Sequence, residues 1–137
     1  MGDLKCKACV VFCIDFRLHD HLNRFIAERG LDNDGADIVR VAGVAVNLAR
    51  PAEQWAQDFV LGQEEASKRL HDVEEIHLVN HEDCGAYGLE CPPGSEEELA
   101  VHQKDLRAAR AILEERIPGV KILTHFLRLD GRVETID

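Results

Sequence analysis

No stretch of this chain approaches the ~20 consecutive apolar residues of a membrane-spanning helix, so its sequence offers no span. Basic residues are outnumbered, 16 Lys and Arg against 26 Asp and Glu, and the formal net charge is −10. Nucleic acid and anionic membrane surfaces both need a basic face, so neither is expected as a partner. The segment Met1 to Lys7 lacks the apolar core and small-residue cleavage site of a signal peptide. The five cysteines are odd in number, in a chain of 137 residues that is large enough to fold without staples. Reduced thiols and a cytoplasmic setting are therefore expected rather than a disulfide framework. No repeat, low-complexity tract or linker interrupts the chain, and a single domain over residues 1–137 is expected.

What is present alternates between two periods. Ala8 to Ile14 is a continuous apolar run with β-branched residues, the pattern of a strand buried on both faces in a parallel sheet. Leu18 to Arg29 carries Leu18, Leu22, Phe25 and Ile26 at helical spacing, with Gly30 as the stop. Asp37 to Gly43 reads as a second strand. Pro51 suits the first turn of a helix, and Trp55, Phe59, Ala66 and Leu70 mark one face of it through about His71. Glu75 to Asn80 is the third strand, and the glycine- and proline-rich stretch from Cys84 to Gly94 is loop. Ser95 and Glu98 form a capping box before a helix whose buried face is Leu99, Leu106, Ala109, Leu113 and Ile117. Val120 to Leu127 is the fourth strand. Asp130-Gly131 is a two-residue hairpin signal, returning Arg132 to Ile136 as an antiparallel edge.

This alternation predicts an α/β fold, a mainly parallel sheet with helices on both faces. Right-handed crossovers favour the strand order 2-1-3-4, with antiparallel strand 5 at the edge. The gap between strands one and three is then a topological switch point. Open α/β sheets bind ligands there, outside the carboxyl ends of the strands.

Cys13 ends the first strand and His81 the third. Cys84 follows His81 by three residues, a spacing that lets one turn aim a nitrogen and a sulfur at a common point. Both donors suit Zn²⁺. Cys13, His81 and Cys84 make a Cys₂His set, and three protein ligands leave a fourth position, the pattern of a catalytic zinc. Water in such a position has a pKa near 7. Asp15 is close enough either to accept a hydrogen bond from that water or to bind the metal itself. Arg17, on the same side of an extended chain, can hold the Asp15 carboxylate bidentately. Asp15 and Arg17 thus read as an orienting pair.

Cys13-x-Asp15-x-Arg17 after a first strand, then His81-x-x-Cys84-Gly85 after a later one, resembles the beta-class carbonic anhydrases. Arg40-Val41-Ala42-Gly43 is similar to that family's Arg-x-Ala-Gly, and the terminal hairpin from Leu127 to Glu134 is similar to its end. The resemblance covers about residues 8 to 136. It implies zinc on Cys13, His81 and Cys84, catalytic roles for Asp15 and Arg17, and reversible hydration of carbon dioxide to bicarbonate. It also implies a homodimer or higher homo-oligomer. For that contact we expect strand two to be an edge, with Val44, Val46 and Leu48 supplying apolar area. The chain differs from the family at Phe16, where a small Ser is usual, and at Asn80, where Gly is usual. About seven residues precede the first strand, where the family has a longer helical arm carrying a Gln. Two functions therefore stand side by side. One is an enzyme acting on CO₂ or on a related small electrophile such as CS₂ or COS. The other is a non-catalytic zinc protein in which Asp15 closes the fourth position.

The remaining candidates read as structural. Cys9 and Cys13 on one strand are separated by roughly 13 Å, too far for Cys6, Cys9 and Cys13 to share one ion. Cys91 is expected in a loop, His19 and His21 in a first helical turn, and His77 and His125 against packing layers. Glu96, Glu97 and Glu98 place favourable charge at a helix N-terminus. Tyr87 and Leu89 are assigned to a surface loop, with the mouth of the site as the alternative.

Overall fold

The computed structural model describes residues 4–137, so the reading of Met1 to Asp3 lies outside the described residues. Five strands form one sheet: β1 (Ala8–Phe12), β2 (Ala36–Arg40), β3 (Glu75–His81), β4 (Lys121–Leu127) and β5 (Val133–Ile136). Their spatial order is β2-β1-β3-β4-β5. β1 pairs in parallel with β2 and β3, β3 in parallel with β4, and β5 returns antiparallel to β4. This is the expected topology, with β2 at an edge. No helix among the described residues is long and apolar enough to cross a membrane.

The helices divide between the two faces. A 3₁₀ turn (Phe16–Leu18) leads into α1 (His19–Glu28), which lays Leu22 and Phe25 over one side. There they pack with Ala8, Val10, Phe12, Val79 and Leu127. On the other side lie α2 (Val46–Ala49), α3 (Gln54–His71) and α4 (Glu96–Arg116). Leu48, Val60, Leu61, Leu106 and Leu113 from these helices cover Cys9, Val11, Ile76 and Leu78. Every residue of β1 is buried, because its alternate side chains feed two separate cores. Burying each large apolar side chain contributes about 1.5–3 kcal/mol before the entropy of ordering it.

Several sequence expectations need correction. α3 begins at Gln54 with Glu53 as N-cap, three residues beyond Pro51. Its buried face is Val60, Leu61, Glu64 and Ser67. The stripe of Trp55, Phe59 and Leu70 instead points outward, at 70%, 62% and 52% exposure. Val44 and Leu48 are buried in this chain's own core, so they offer no contact area to a second copy. The terminal hairpin closes on Arg128, whose N–H donates to the Arg132 carbonyl. Its loop is therefore Leu129-Asp130-Gly131, three residues with Gly131 at φ +95°, as in a turn that ends in a left-handed glycine.

Glu64 lies fully inside, and neither of its carboxyl oxygens has a hydrogen-bond partner. Burial pushes its pKa up to about 8, against about 4.3 in an unfolded chain. Between those values the folded chain holds the proton and the unfolded chain does not. Stability from this group is therefore present below the unfolded value and is lost as pH rises towards 8. Glu64→Gln should remove that loss. Urea midpoints for both proteins between pH 5 and 8.5 should show the native protein weakening relative to the variant, by at most about 1.4 kcal/mol per pH unit. Parallel pH profiles would refute this account of Glu64.

Candidate metal centre

β1 ends at Phe12, paired with Val79 of β3. Cys13 emerges one residue later, beside the end of β3 at His81. Ligand atoms of Cys13, His81 and Cys84 lie within 4.8 Å of one another, and all three residues are buried. The loop that carries Cys84 is held from α4. Ser95 Oγ caps that helix by accepting from the Glu98 N–H at 3.2 Å. The Glu98 carboxylate does not return to the Ser95 N–H as a full capping box would. It accepts from the Asp83 N–H at 2.8 Å and the Gly94 N–H at 2.9 Å, which fixes the turn before Cys84. On the other flank, Gly43 has φ +80°, and a Cβ there would stand 2.6 Å from Val46 Cγ1. Glycine lets this loop close over Cys13, with the Gly43 N–H facing the sulfur.

The donor set fits zinc. His81 Nδ1 lies 2.7 Å from the Glu82 carbonyl, so the proton sits there and the bond orients the ring. That leaves Nε2 as a bare lone pair, buried and without a hydrogen-bond partner. The Cys84 thiol facing Cys13 holds the Cys13 pKa far below the ordinary thiol range, against burial. The same contact and burial push Cys84 up. Cys13, His81 and Cys84 would hold the ion through two sulfurs and one imidazole nitrogen, a donor set ordinary for zinc.

Asp15 and Arg17 pair as the sequence suggests. The Asp15 carboxylate accepts from Arg17 Nε at 3.1 Å, Nη2 at 2.7 Å and the Arg17 backbone N–H at 2.9 Å. Arg17 hydrogen bonds hold the Asp15 pKa down to about 2. Asp15 Oδ2 stands 3.9 Å from His81 Nε2. The guanidinium also reaches the other motif, donating to the Asp83 carboxylate at 3.0 Å and the Asp83 carbonyl at 2.9 Å. An open cleft of about 550 Å³ lies in front, lined by Cys13, Asp15, Arg17 and Asp83 together with the apolar Ile14, Phe16, Ala42 and Ala86.

Three supporting residues carry roles that the sequence did not show. Arg40, level with Phe12 at the end of β2, donates to the carbonyls of Cys13 at 2.9 Å and Asp15 at 3.2 Å. Its motif was visible, but bonds to backbone carbonyls leave no pattern of their own. Asp83 receives Arg17. Asn80 Oδ1 accepts from the Ala45 N–H, and its amide donates to the Tyr87 hydroxyl and to His102 Nδ1. The other histidines stand apart from the centre. His77 and His125 meet each other at 2.9 Å beneath Phe25, and His21 meets the Leu129 carbonyl. Cys6, Cys9 and Cys13 form no common cluster, and Cys91 is a half-buried loop thiol.

Glu98 holds two amides with one carboxylate, so Glu98→Ala should free the Cys84 loop. Hydrogen exchange at Asp83 and Gly94 is expected to accelerate at least tenfold, which corresponds to about 1.4 kcal/mol of lost protection. Native exchange rates at both amides would remove Glu98 from this role.

Residues 4–137 match the family model described as "Putative carbonic anhydrase". Two uncharacterized rickettsial proteins are similar over 131 residues. The one from Rickettsia conorii is 32% identical, over 93% of this chain and 70% of its own length. The one from Rickettsia bellii is 30% identical, over 93% and 79%. Among solved structures, beta-carbonic anhydrase isoform I of Trichomonas vaginalis superposes with a TM-score of 0.64 at 18% identity, covering 96% of this chain and 84% of that one. A tetrameric beta-carbonic anhydrase from Sordaria macrospora gives 0.64 at 16%, covering 98% and 82%. At such identities the structural likeness establishes the fold. Together with a family match from Leu4 to the last residue, it leads to one statement: this chain belongs to the putative carbonic anhydrase family and has the beta-carbonic anhydrase fold.

Proposed function

We propose that this protein is a zinc-dependent enzyme that reversibly hydrates carbon dioxide to bicarbonate, with residues 1–137 acting as one domain. The observation that carries the reading is the placement of Asp15. Arg17 holds its carboxylate bidentately, close to the bare His81 Nε2 yet engaged elsewhere. Cys13, His81 and Cys84 would hold the zinc. Bound there, zinc supplies a Lewis acid that makes water nucleophilic at neutral pH. Asp15 stays ionised through the working range and can only accept hydrogen bonds, so it orients the attacking water by taking one from it. Arg17 sets the direction of that lone pair and keeps Asp15 from becoming a fourth ligand. Ile14, Phe16, Ala42 and Ala86 give the cleft an apolar wall suited to a small nonpolar electrophile. The five free thiols support the reducing, cytoplasmic setting expected from the sequence.

Elemental analysis should find one zinc per chain at this centre, and Cys13→Ala should lose it. Arg17→Ala and Asp15→Ala should both keep zinc while stopped-flow CO₂ hydration falls by roughly 10²-fold or more, the usual scale for a positioned proton-handling group. Native activity in Arg17→Ala would eliminate its orienting role. Zinc loss from Asp15→Ala would make Asp15 a ligand. Zinc without any hydration in the native protein would favour the non-catalytic reading.

We also propose a homo-oligomer, now through a different surface from the one expected. Trp55, Phe59 and Leu70 form an exposed apolar stripe on α3, and Ile38 is exposed on the edge strand β2. Single exposed apolar residues are ordinary, whereas an aligned stripe with a Trp and a Phe marks an interface. Light scattering should give at least a dimer at micromolar concentration, and Trp55→Glu with Phe59→Glu should shift it to monomer. A monomeric native protein would reject this.

A further inference from the structure

At the opposite end of β1 from the Cys₂His centre lies a second group of metal-binding side chains. Cys6 precedes β1, Asp37 sits in β2 opposite Cys9, and His71 is the last residue of α3. One ligand atom from each lies within 4.8 Å of the other two. Seven residues of extended chain separate Cys6 from Cys13, roughly 20 Å or more at the rise of a strand. The two groups therefore cannot share an ion.

The arrangement is built rather than loose. The Cys6 backbone N–H donates to the His71 carbonyl at 3.1 Å, which joins the segment before β1 to the end of α3. The Asp37 carboxylate lies 2.7 Å from His71 Nδ1, and Ser67 Oγ donates to it at 2.6 Å. The helix thus orients the carboxylate from two positions one turn apart. Both Asp37 and His71 stay about one-third exposed, so an ion can enter. They line an open cleft of about 270 Å³ together with Cys6 and Asp34. An ion pair tying α3 to β2 accounts for His71 and Asp37 alone. It does not account for a thiol brought to the same point.

We propose that Cys6, Asp37 and His71 form a second cation site, taking a divalent d-block ion of the zinc type. Sulfur, imidazole nitrogen and carboxylate oxygen are each ordinary zinc ligands, and a mixed set of this kind disfavours Mg²⁺ and Ca²⁺, which take oxygen. Binding releases the Cys6 thiol proton to solvent, and His71 offers the ring nitrogen that carries no proton. The ion then joins the start of β1, the edge strand β2 and the C-terminus of α3. Its role is that of a clip on the sheet edge, away from the cleft in front of Asp15.

The test counts zinc on the full chain. Native protein, Cys6→Ser and His71→Gln are each dialysed against a buffered excess of Zn²⁺, freed of unbound metal and analysed for zinc per chain. Two equivalents in the native protein, and one in each variant, support the site. Its signature is also read with Co²⁺, whose thiolate charge-transfer absorption should fall by about a third in Cys6→Ser, one of three coordinating sulfurs being lost. One equivalent in all three proteins overturns the proposal and leaves the Cys₂His centre standing. One in the native protein and none in either variant supports the second site and removes the first. Two equivalents in all three proteins overturn it, because the second ion is then held elsewhere. Using two variants guards against a single misfolded one, and native-like far-UV circular dichroism is required of each.

Discussion

The parallel pairing of β1 with β3 is the constraint on which the site rests. Cys13 and His81 are 68 positions apart in the chain (81 less 13), and only the register of Phe12 with Val79 delivers them to one point. That register is enforced by the cores. Cys9 and Val11 belong to the side covered by α3 and α4, Val10 and Phe12 to the side covered by α1. A one-residue slip would exchange the two sets and leave both layers mispacked. The position of the donor atoms is thus decided mainly by apolar packing well below them. The neighbouring register of Phe12 with Arg40 does the same for the second strand, bringing a guanidinium level with the carbonyls of Cys13 and Asp15.

Arg17 joins what the strands bring near. Four of its five donors are divided between Asp15, which belongs to the first motif, and the carbonyl and carboxylate of Asp83, which belong to the second. A lysine carries one point charge and lacks the planar fork that serves both at once. The side chain is more than a third exposed, so its ion pairs contribute modestly to stability. Their value lies in geometry. One group sets the direction of Asp15 and the distance between the two loops that flank the cleft.

The sheet was legible because each strand carries a single pattern. β1 is apolar throughout, and the loops between elements hold the glycines and prolines that end them. α3 was not legible in the same way. It is apolar on two sides, and the larger side chains, Trp55 and Phe59, lie on the side that this chain leaves uncovered. Helical periodicity finds a stripe but does not say whether the covering surface belongs to the same chain. The buried side was disguised by Glu64 and Ser67, which no hydrophobic pattern selects. The metal ligands were legible as residue types at strand ends. Cys6 was read only against other cysteines along its own strand, because its proximity to Asp37 and His71 arises from a crossover that local spacing does not encode.

Asn80 shows how a departure from the family pattern is absorbed. A buried amide in a central strand costs free energy unless its donors and acceptor are met. Here they are met by three separate segments: Ala45 beyond Gly43, Tyr87 beyond Cys84, and His102 on α4. The first of these is strained, since Val44 has φ +42°, a conformation that a β-branched residue rarely adopts. Strain of about 1–3 kcal/mol of this kind persists only where the surroundings over-determine it. Asn80 fixes the following amide, and Asn47 donates to the carbonyls of Ala42 and Val44, so both sides of the strained residue are pinned. His102 completes the set by accepting through Nδ1, which requires the neutral ring. Burial holds its pKa down to about 4, so the folded chain keeps that tautomer down to acid pH. The cost appears in linkage. Below the unfolded value of about 6.5 the unfolded chain takes up a proton that folded His102 refuses, so stability declines as pH falls through that window. A glycine at position 80 would not relieve this cost, because burial rather than Asn80 lowers the His102 pKa, and it would leave the loops that carry Ala45 and Tyr87 without their common support.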